Sequence, residues 1–118
     1  MTKSNVGMLL LFAIMVFCDQ GEAHSLRSAY CNAQYPIGEP KLNILVQPNG
    51  TISGTFGERN IAFTARVNPD GTVDFLRPDG SVAYENVTMA DAKLYATYHQ
   101  PAARGGGVFK PVIPCTMR

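Results

Sequence analysis

The motif Pro-(Asn/Asp)-Gly occurs three times in this sequence, at residues 48–50, 69–71 and 78–80. Proline presets the backbone φ angle and glycine supplies a positive one, so each copy predicts a tight turn. Between the turns, apolar residues alternate with polar ones, which is the period-two pattern of half-buried strands. The unequal spacing of the motifs indicates hairpin turns rather than a sequence repeat. The chain is therefore predicted to be all-β, an antiparallel meander of short strands.

Three apolar rows are expected to face one common core, namely Leu42/Ile44/Val46, Ile61/Phe63/Ala65/Val67 and Val73/Phe75. Ile52, Gly54 and Phe56 point to one side of a further predicted strand. Val82 and Tyr84 begin a further strand, and the shift of the apolar phase to Val87 and Met89 indicates a bulge near Glu85-Asn86.

Residues 88–99 fit two structures. Thr88 followed by Asp91 is compatible with a helix-capping box. Alternation of Leu94, Ala96 and Tyr98 instead favours a turn at residues 90–93 followed by a strand. We favour the turn and strand, because consecutive strands of a meander usually pair.

The carboxyl-terminal part of the chain contains many residues that interrupt regular structure. Pro101 to Gly107, with three consecutive glycines, predicts a loop without a regular element. Pro111 and Pro114 lack an N–H group for a ladder, so the segment 108–116 is expected at a sheet edge. The total is about seven strands, forming a small sandwich or barrel.

Residues 1–23 have the layout of a cleavable secretory signal. Lys3 precedes an apolar stretch from Val6 to Cys18, and the segment Gly21-Glu22-Ala23 has small residues at its first and last positions. A helix of that stretch would rise about 20 Å, which is too short for a hydrocarbon core of about 30 Å. The sequence therefore predicts a signal over 1–23, one small β domain over 24–118, no membrane span, and a secreted or periplasmic location.

Cleavage after Ala23 would remove Cys18 and leave two cysteines, Cys31 and Cys115, at opposite ends of the domain. Two cysteines in an exported chain most simply form one disulfide. Closing so long a loop could stabilise the fold by about 4 kcal/mol in the chain-entropy model. A structural staple is therefore predicted.

The charge of the mature chain is small and scattered. Loss of Lys3, Asp19 and Glu22 with the signal changes the formal net charge from +1 to +2. Basic side chains form no cluster, so neither a nucleic-acid nor a membrane-surface partner is predicted. No cofactor is predicted either.

Few residues could carry chemistry. If His24 becomes the amino terminus, its amine and imidazole, together with His99, would form a nitrogen-ligated copper site, which resembles the histidine brace of copper oxygenases and some copper carriers. This is an alternative, and our prediction is that no metal is bound. Ser81, Asp79 and His99 supply the residue types of a hydrolase, but the residues around Ser81 lack a nucleophile signature. No enzyme activity is predicted.

Tyrosines give the best indication of binding. Tyr95 lies on the face of its strand opposite Tyr98, so at least one aromatic ring should be exposed to a protein or glycan partner. An equally good interpretation is that the tyrosines cap the ends of a small core, with their hydroxyl groups in water. We predict a binding surface from Tyr95, Tyr98, His99 and Arg104. Asn49 and Asn86 begin glycosylation sequons, which matter only in a eukaryotic source.

The signal, the cysteine pair and the meander together resemble the small exported β-barrel inhibitors of bacterial proteases and lysozymes in outline. That resemblance implies a binding function of the inhibitor type. The predicted function is thus a non-catalytic domain that recognises another macromolecule. The alternatives are a copper-binding protein that uses His24 and His99, and a structural component of the cell envelope.

Overall fold

Nine β-strands form most of the regular structure in the computed structural model, which describes residues 24–118. The strands are β1 (Ala29–Cys31), β2 (Leu42–Val46), β3 (Ile52–Phe56), β4 (Ile61–Val67), β5 (Val73–Leu76), β6 (Val82–Ala90), β7 (Lys93–His99), β8 (Val108–Phe109) and β9 (Val112–Met117). The predicted all-β class is confirmed. The predicted signal and its cleavage site lie outside the described residues.

Eight of the strands close into an antiparallel barrel. Strands β1 to β7 pair in sequence order, β7 then pairs with β9, and β9 pairs with β1. The short strand β8 continues alongside β7 beyond the end of β9, with Tyr98 opposite Phe109. The fold is thus a closed eight-stranded barrel with one extra strand, where about seven strands were predicted.

The expected edge position of the carboxyl-terminal segment is wrong for β9, which lies between β7 and β1. Residues up to Pro114 pair with β7, and residues from Cys115 pair with β1. The Cys115 amide donates to the Ala92 carbonyl on the β7 side, so the Pro114 nitrogen faces β1. The Asn32 amide donates to the Pro114 carbonyl at 3.4 Å, just beyond the last paired residue Cys31, so the missing N–H of Pro114 falls where the pairing with β1 ends.

The three Pro-(Asn/Asp)-Gly motifs form the predicted turns with one shared set of hydrogen bonds. In each, the glycine amide donates to the carbonyl before the proline at 2.8 or 2.9 Å. The middle side chain accepts the amide that follows the glycine at 2.9 or 3.0 Å. Gly50, Gly71 and Gly80 have φ angles of 88° or 89°, where a side chain would be strained. Asp70 and Asp79 therefore have a role in turn formation.

Aromatic side chains occupy the barrel interior. Phe63 is 6% exposed and lies between Phe56 and Phe75, with ring centroids 5.8 Å and 4.2 Å away. Tyr84 and Tyr98, both fully buried, extend this cluster with centroids 5.0 Å apart. A small barrel has just enough room for its own side chains, and here rings fill that room.

The predicted core row of β4 is correct only in its middle. Phe63 and Ala65 pack into the core, whereas Ile61 and Val67 are 39% and 44% exposed. These two residues stand at the two ends of the strand, beyond the layer of rings that fills the barrel.

Asp74 lies on the outer face of β5, as the alternation predicts, yet it is buried. Its carboxylate accepts hydrogen bonds from Arg66 Nη2 at 2.8 Å, Asn68 Nδ2 at 3.0 Å and the Asn86 amide at 2.9 Å. The predicted bulge in β6 creates this arrangement, because Asn86 adopts a φ of 57° where the pairing with β7 shifts register. Arg66 is therefore paired with Asp74.

The turn-and-strand prediction for residues 88–99 is confirmed, and the loop prediction that follows is partly wrong. Asp91 and Ala92 form a two-residue turn with positive φ angles of 55° and 57° between β6 and β7. Within Pro101 to Gly107, one turn of 3-10 helix covers Ala102–Arg104. Pro101 immediately precedes this turn, and Gly105, with a φ of 112°, ends it.

The predicted disulfide between Cys31 and Cys115 is present. The two residues are direct cross-strand partners in β1 and β9, 84 positions apart in sequence. The bond thus crosses one of the pairings that close the barrel, and a disulfide suggests an oxidising compartment of the extracellular type. None of residues 24–118 belongs to a helix long and apolar enough to cross a membrane.

Candidate functional site

Four connecting segments meet at one end of the barrel, which we call the loop end. They are residues 32–41, 57–60, 77–81 and 100–107. The Gly57 amide donates to the Pro40 carbonyl at 2.7 Å, which joins the first two segments. Gln100 Nε2 donates to the Tyr35 hydroxyl at 3.2 Å, which joins the first segment to the last. The opposite end, which we call the turn end, carries the turns at 47–51, 68–72 and 90–93.

Glu39 points from the first segment into the top of the barrel. Glu39 is 8% exposed, and its backbone amide donates to the Tyr84 hydroxyl at 2.7 Å. The Tyr98 hydroxyl in turn donates to Glu39 Oε2 at 2.7 Å. Burial raises the pKa of Tyr98, and both the hydrogen bond to Glu39 and the carboxylate charge raise it further. Tyr98 therefore stays protonated and remains a donor.

Gly38 allows the first segment to fold inward. A Cβ atom at this position would lie 2.6 Å from Ala33 Cβ and 3.1 Å from the Tyr84 hydroxyl. A side chain would therefore push the segment away from Tyr84 and break the bond that positions Glu39.

An open groove of 580 Å³ lies over Glu39, and we call it the Glu39 groove. It is lined by Tyr35, Glu39, Pro40, Gly57, Glu58, Arg59, Ile61 and Arg104. The Arg104 guanidinium lies 5.1 Å from the centre of the Tyr35 ring, a cation–π contact that holds both side chains at the rim. Tyr35 is 48% exposed, so the rim presents an aromatic ring, an aliphatic side chain and two guanidinium groups around a buried carboxylate.

A second groove, of 610 Å³, opens beside His99 at the same end. His99 Nε2 lies 2.9 Å from Glu85 Oε1, and the His99 carbonyl accepts a hydrogen bond from Arg77. Ser81 also lines this groove, but its hydroxyl donates to Asp79 at 2.7 Å. None of the hydrogen bonds among residues 24–118 joins Ser81 to His99, so the elements of a hydrolytic triad share a groove without being connected.

The structure does not bring the four predicted binding residues into one surface. Tyr98 points into the barrel and is fully buried, so its ring is not available to a partner. Tyr95 is 38% exposed on the outer face of β7, opposite Val112. His99 and Arg104 both reach the loop end but line different grooves. The alternation of β7 explains the separation of the two tyrosines.

The two histidines of the copper alternative lie at opposite ends of the barrel. His24 Nε2 is 3.2 Å from the Gly50 carbonyl at the turn end, and its Nδ1 accepts the Leu26 amide at 3.2 Å. His99 is at the loop end, six residues along β7 from the hairpin turn, which corresponds to about 20 Å of strand. No group of three or more His, Cys, Asp or Glu side chains within the described part of the chain could hold a metal ion.

Tyr35, Glu39 and Arg59 were not identified from the sequence. Residues 32–41 have no alternation, and the order Gly38-Glu39-Pro40 indicates only a loop. A charged residue between a glycine and a proline is a weak indication of a binding site. The local sequence does not reveal that Tyr84 and Tyr98 lie beneath Glu39.

No protein-family model, no curated protein and no solved structure matches the chain.

Proposed function

We propose that this chain is an exported, non-catalytic binding protein that recognises another protein through the Glu39 groove. The observation that carries the proposal is the composition of the groove rim, where Tyr35, Arg104, Arg59 and Ile61 surround an open depression. Tyrosine and arginine are the residues most enriched among those that dominate the binding energy of protein interfaces. The contact between Tyr35 and Arg104 reduces the side-chain entropy that either would lose on binding.

Three further features support the proposal. Aromatic rings fill the barrel interior, which favours recognition at the loop end over storage of a ligand inside. The Ser81 hydroxyl is committed to Asp79 within its turn, which favours a structural role over a catalytic one. The disulfide between Cys31 and Cys115 fits export to an oxidising compartment.

The test is quantitative capture of partners by the exported protein. The immobilised protein is incubated with the extracellular or periplasmic fraction of its source, and bound proteins are quantified by mass spectrometry. The variant carrying Tyr35→Ala and Arg104→Ala should capture about tenfold less of the specific partner than the unmodified protein does. This loss is expected when residues that anchor an interface are removed.

The matched control carries Tyr95→Ala and Lys93→Ala, which remove an exposed tyrosine and a basic residue from the outer face of β7. It should capture as much as the unmodified protein. Capture that depends on the β7 residues and is insensitive to the rim residues would contradict the proposal.

A further inference from the structure

The two carboxylate oxygens of Glu39 have different surroundings. Oε2 accepts the Tyr98 hydroxyl, whereas none of residues 24–118 donates a hydrogen bond to Oε1. Glu39 is more than nine-tenths buried and lines the groove. A Cβ atom built on Gly57, in the wall of the groove, would lie 3.5 Å from Oε1. The absence of a side chain there leaves Oε1 accessible from the groove.

A largely buried carboxylate oxygen with no protein donor loses part of its hydration without gaining a hydrogen bond from the protein, so a donor that reaches it through the groove is favourable. Tyr98 supplies only one hydrogen bond, and a charged group gains most from a cationic donor. The groove thus has at its floor a negatively charged acceptor that an incoming donor would complete.

The rim has the opposite charge. Lys41 Nζ pairs with Glu58 Oε1 at 2.9 Å, which neutralises the acidic residue of the rim. Arg59 and Arg104 have no carboxylate partner among the residues that the structure describes. A complementary ligand would therefore carry a positive group in its centre and negative groups beside it.

We propose that the protein partner inserts one lysine or arginine side chain into the Glu39 groove, where its N–H groups donate to Glu39 Oε1. Acidic residues that flank it on the partner meet Arg59 and Arg104, and its aliphatic stem lies against Ile61 and Tyr35. This inference rests on the proposed function and adds the chemistry of the partner residue.

Capped tripeptides of known sequence test the inference by NMR titration of the full exported protein. The peptides are Glu-Lys-Glu, Glu-Arg-Glu and Glu-Leu-Glu. Each basic peptide should produce saturable chemical-shift changes at Glu39, Gly57 and Tyr98. Each should also bind about tenfold more tightly than Glu-Leu-Glu, because the central residue of Glu-Leu-Glu has no charged donor. Glu39→Gln, which keeps an acceptor for Tyr98, should abolish the difference between the peptides.

The unmodified protein provides a second measurement that needs no variant. Nuclear Overhauser contacts are expected between the last methylene group of the basic side chain and Gly57. Equal binding of all three peptides, shifts confined to other surfaces, or an undiminished preference in Glu39→Gln would overturn the inference. Capture of a partner that requires Tyr35 and Arg104 but is unaffected by Glu39→Gln would overturn it while leaving the proposed function intact.

Discussion

At the scale of single residues, Asp74 and Glu39 are both buried carboxylates with different sets of hydrogen-bond donors. Asp74 accepts a guanidinium, a side-chain amide and a backbone amide. Burial raises the pKa of Asp74, but the Asn86 amide, Arg66 and Asn68 together outweigh burial and hold that pKa below its usual value. Glu39 receives one side-chain donor, from Tyr98. We therefore interpret Asp74 as structural and Glu39 as a residue that is completed by a partner.

Asp74→Asn should lower the free energy of unfolding by about 2 kcal/mol at pH 7, because the charged acceptor of Arg66 is lost. A group whose pKa is lowered by folding stabilises the protein above its unfolded pKa of about 3.9. That contribution disappears as the pH falls through the lower, folded pKa. Urea unfolding at pH values from 7 to 2 should therefore show the difference between the two proteins shrinking in acid.

Asp91→Asn is the matched control, since Asp91 is exposed and asparagine tolerates its φ of 55°. It makes the same change of charge and should alter stability little at any pH. A difference between the unmodified protein and Asp74→Asn that stays constant or grows in acid would contradict the role given to Asp74.

At the scale of elements, the local turn chemistry determines the hairpins and long-range pairing determines the rest. The Pro-(Asn/Asp)-Gly turns and the Asp91-Ala92 turn depend on residues next to one another, so they could be predicted. The position of β9 between β1 and β7 depends on pairing with strands that are not adjacent to it in sequence. Pro111 and Pro114 instead indicated a sheet edge. Glu39 was missed for the same reason, because the tyrosines that bind it lie 45 and 59 positions away.

The pairing of β3 with its neighbours gives a sharp prediction at Gly54. A Cβ atom there would lie 2.0 Å from the Asn43 carbonyl oxygen and 2.6 Å from the ring of Phe63. Gly54→Ala should therefore lower the free energy of unfolding by about 3 kcal/mol or more, because backbone and ring must both move. Chemical unfolding at pH 7 measures the loss.

Gly80→Ala is the appropriate comparison, because a Cβ atom at Gly80 would meet nothing within 4 Å and faces only the strain of a φ of 88°. Its expected cost is about 1 kcal/mol. Equal losses in the free energy of unfolding for the two substitutions would contradict the close packing of β2, β3 and β4 around Gly54.

At the scale of the whole molecule, the barrel places its two long connections, 32–41 and 100–107, at one end beside two short turns, and the other end has short turns. The disulfide links β1 to β9, and stacked aromatic rings pack the barrel interior. A rigid scaffold with longer segments at one end is a common arrangement for binding, since loops carry recognition and strands position them. The class of fold was evident in the sequence, whereas the location of the groove required the closed barrel.

Hydrogen exchange of the complex is the most direct test of whether the loop end contacts the partner. Amide exchange of the protein comprising residues 24–118 is compared with and without the captured partner. Protection is expected in segments 32–41, 57–61 and 100–107, which surround the Glu39 groove, while the turns at 47–51, 68–72 and 90–93 exchange as in the free protein. Protection confined to the turn end or to the outer face of β7 around Tyr95 would contradict binding at the loop end.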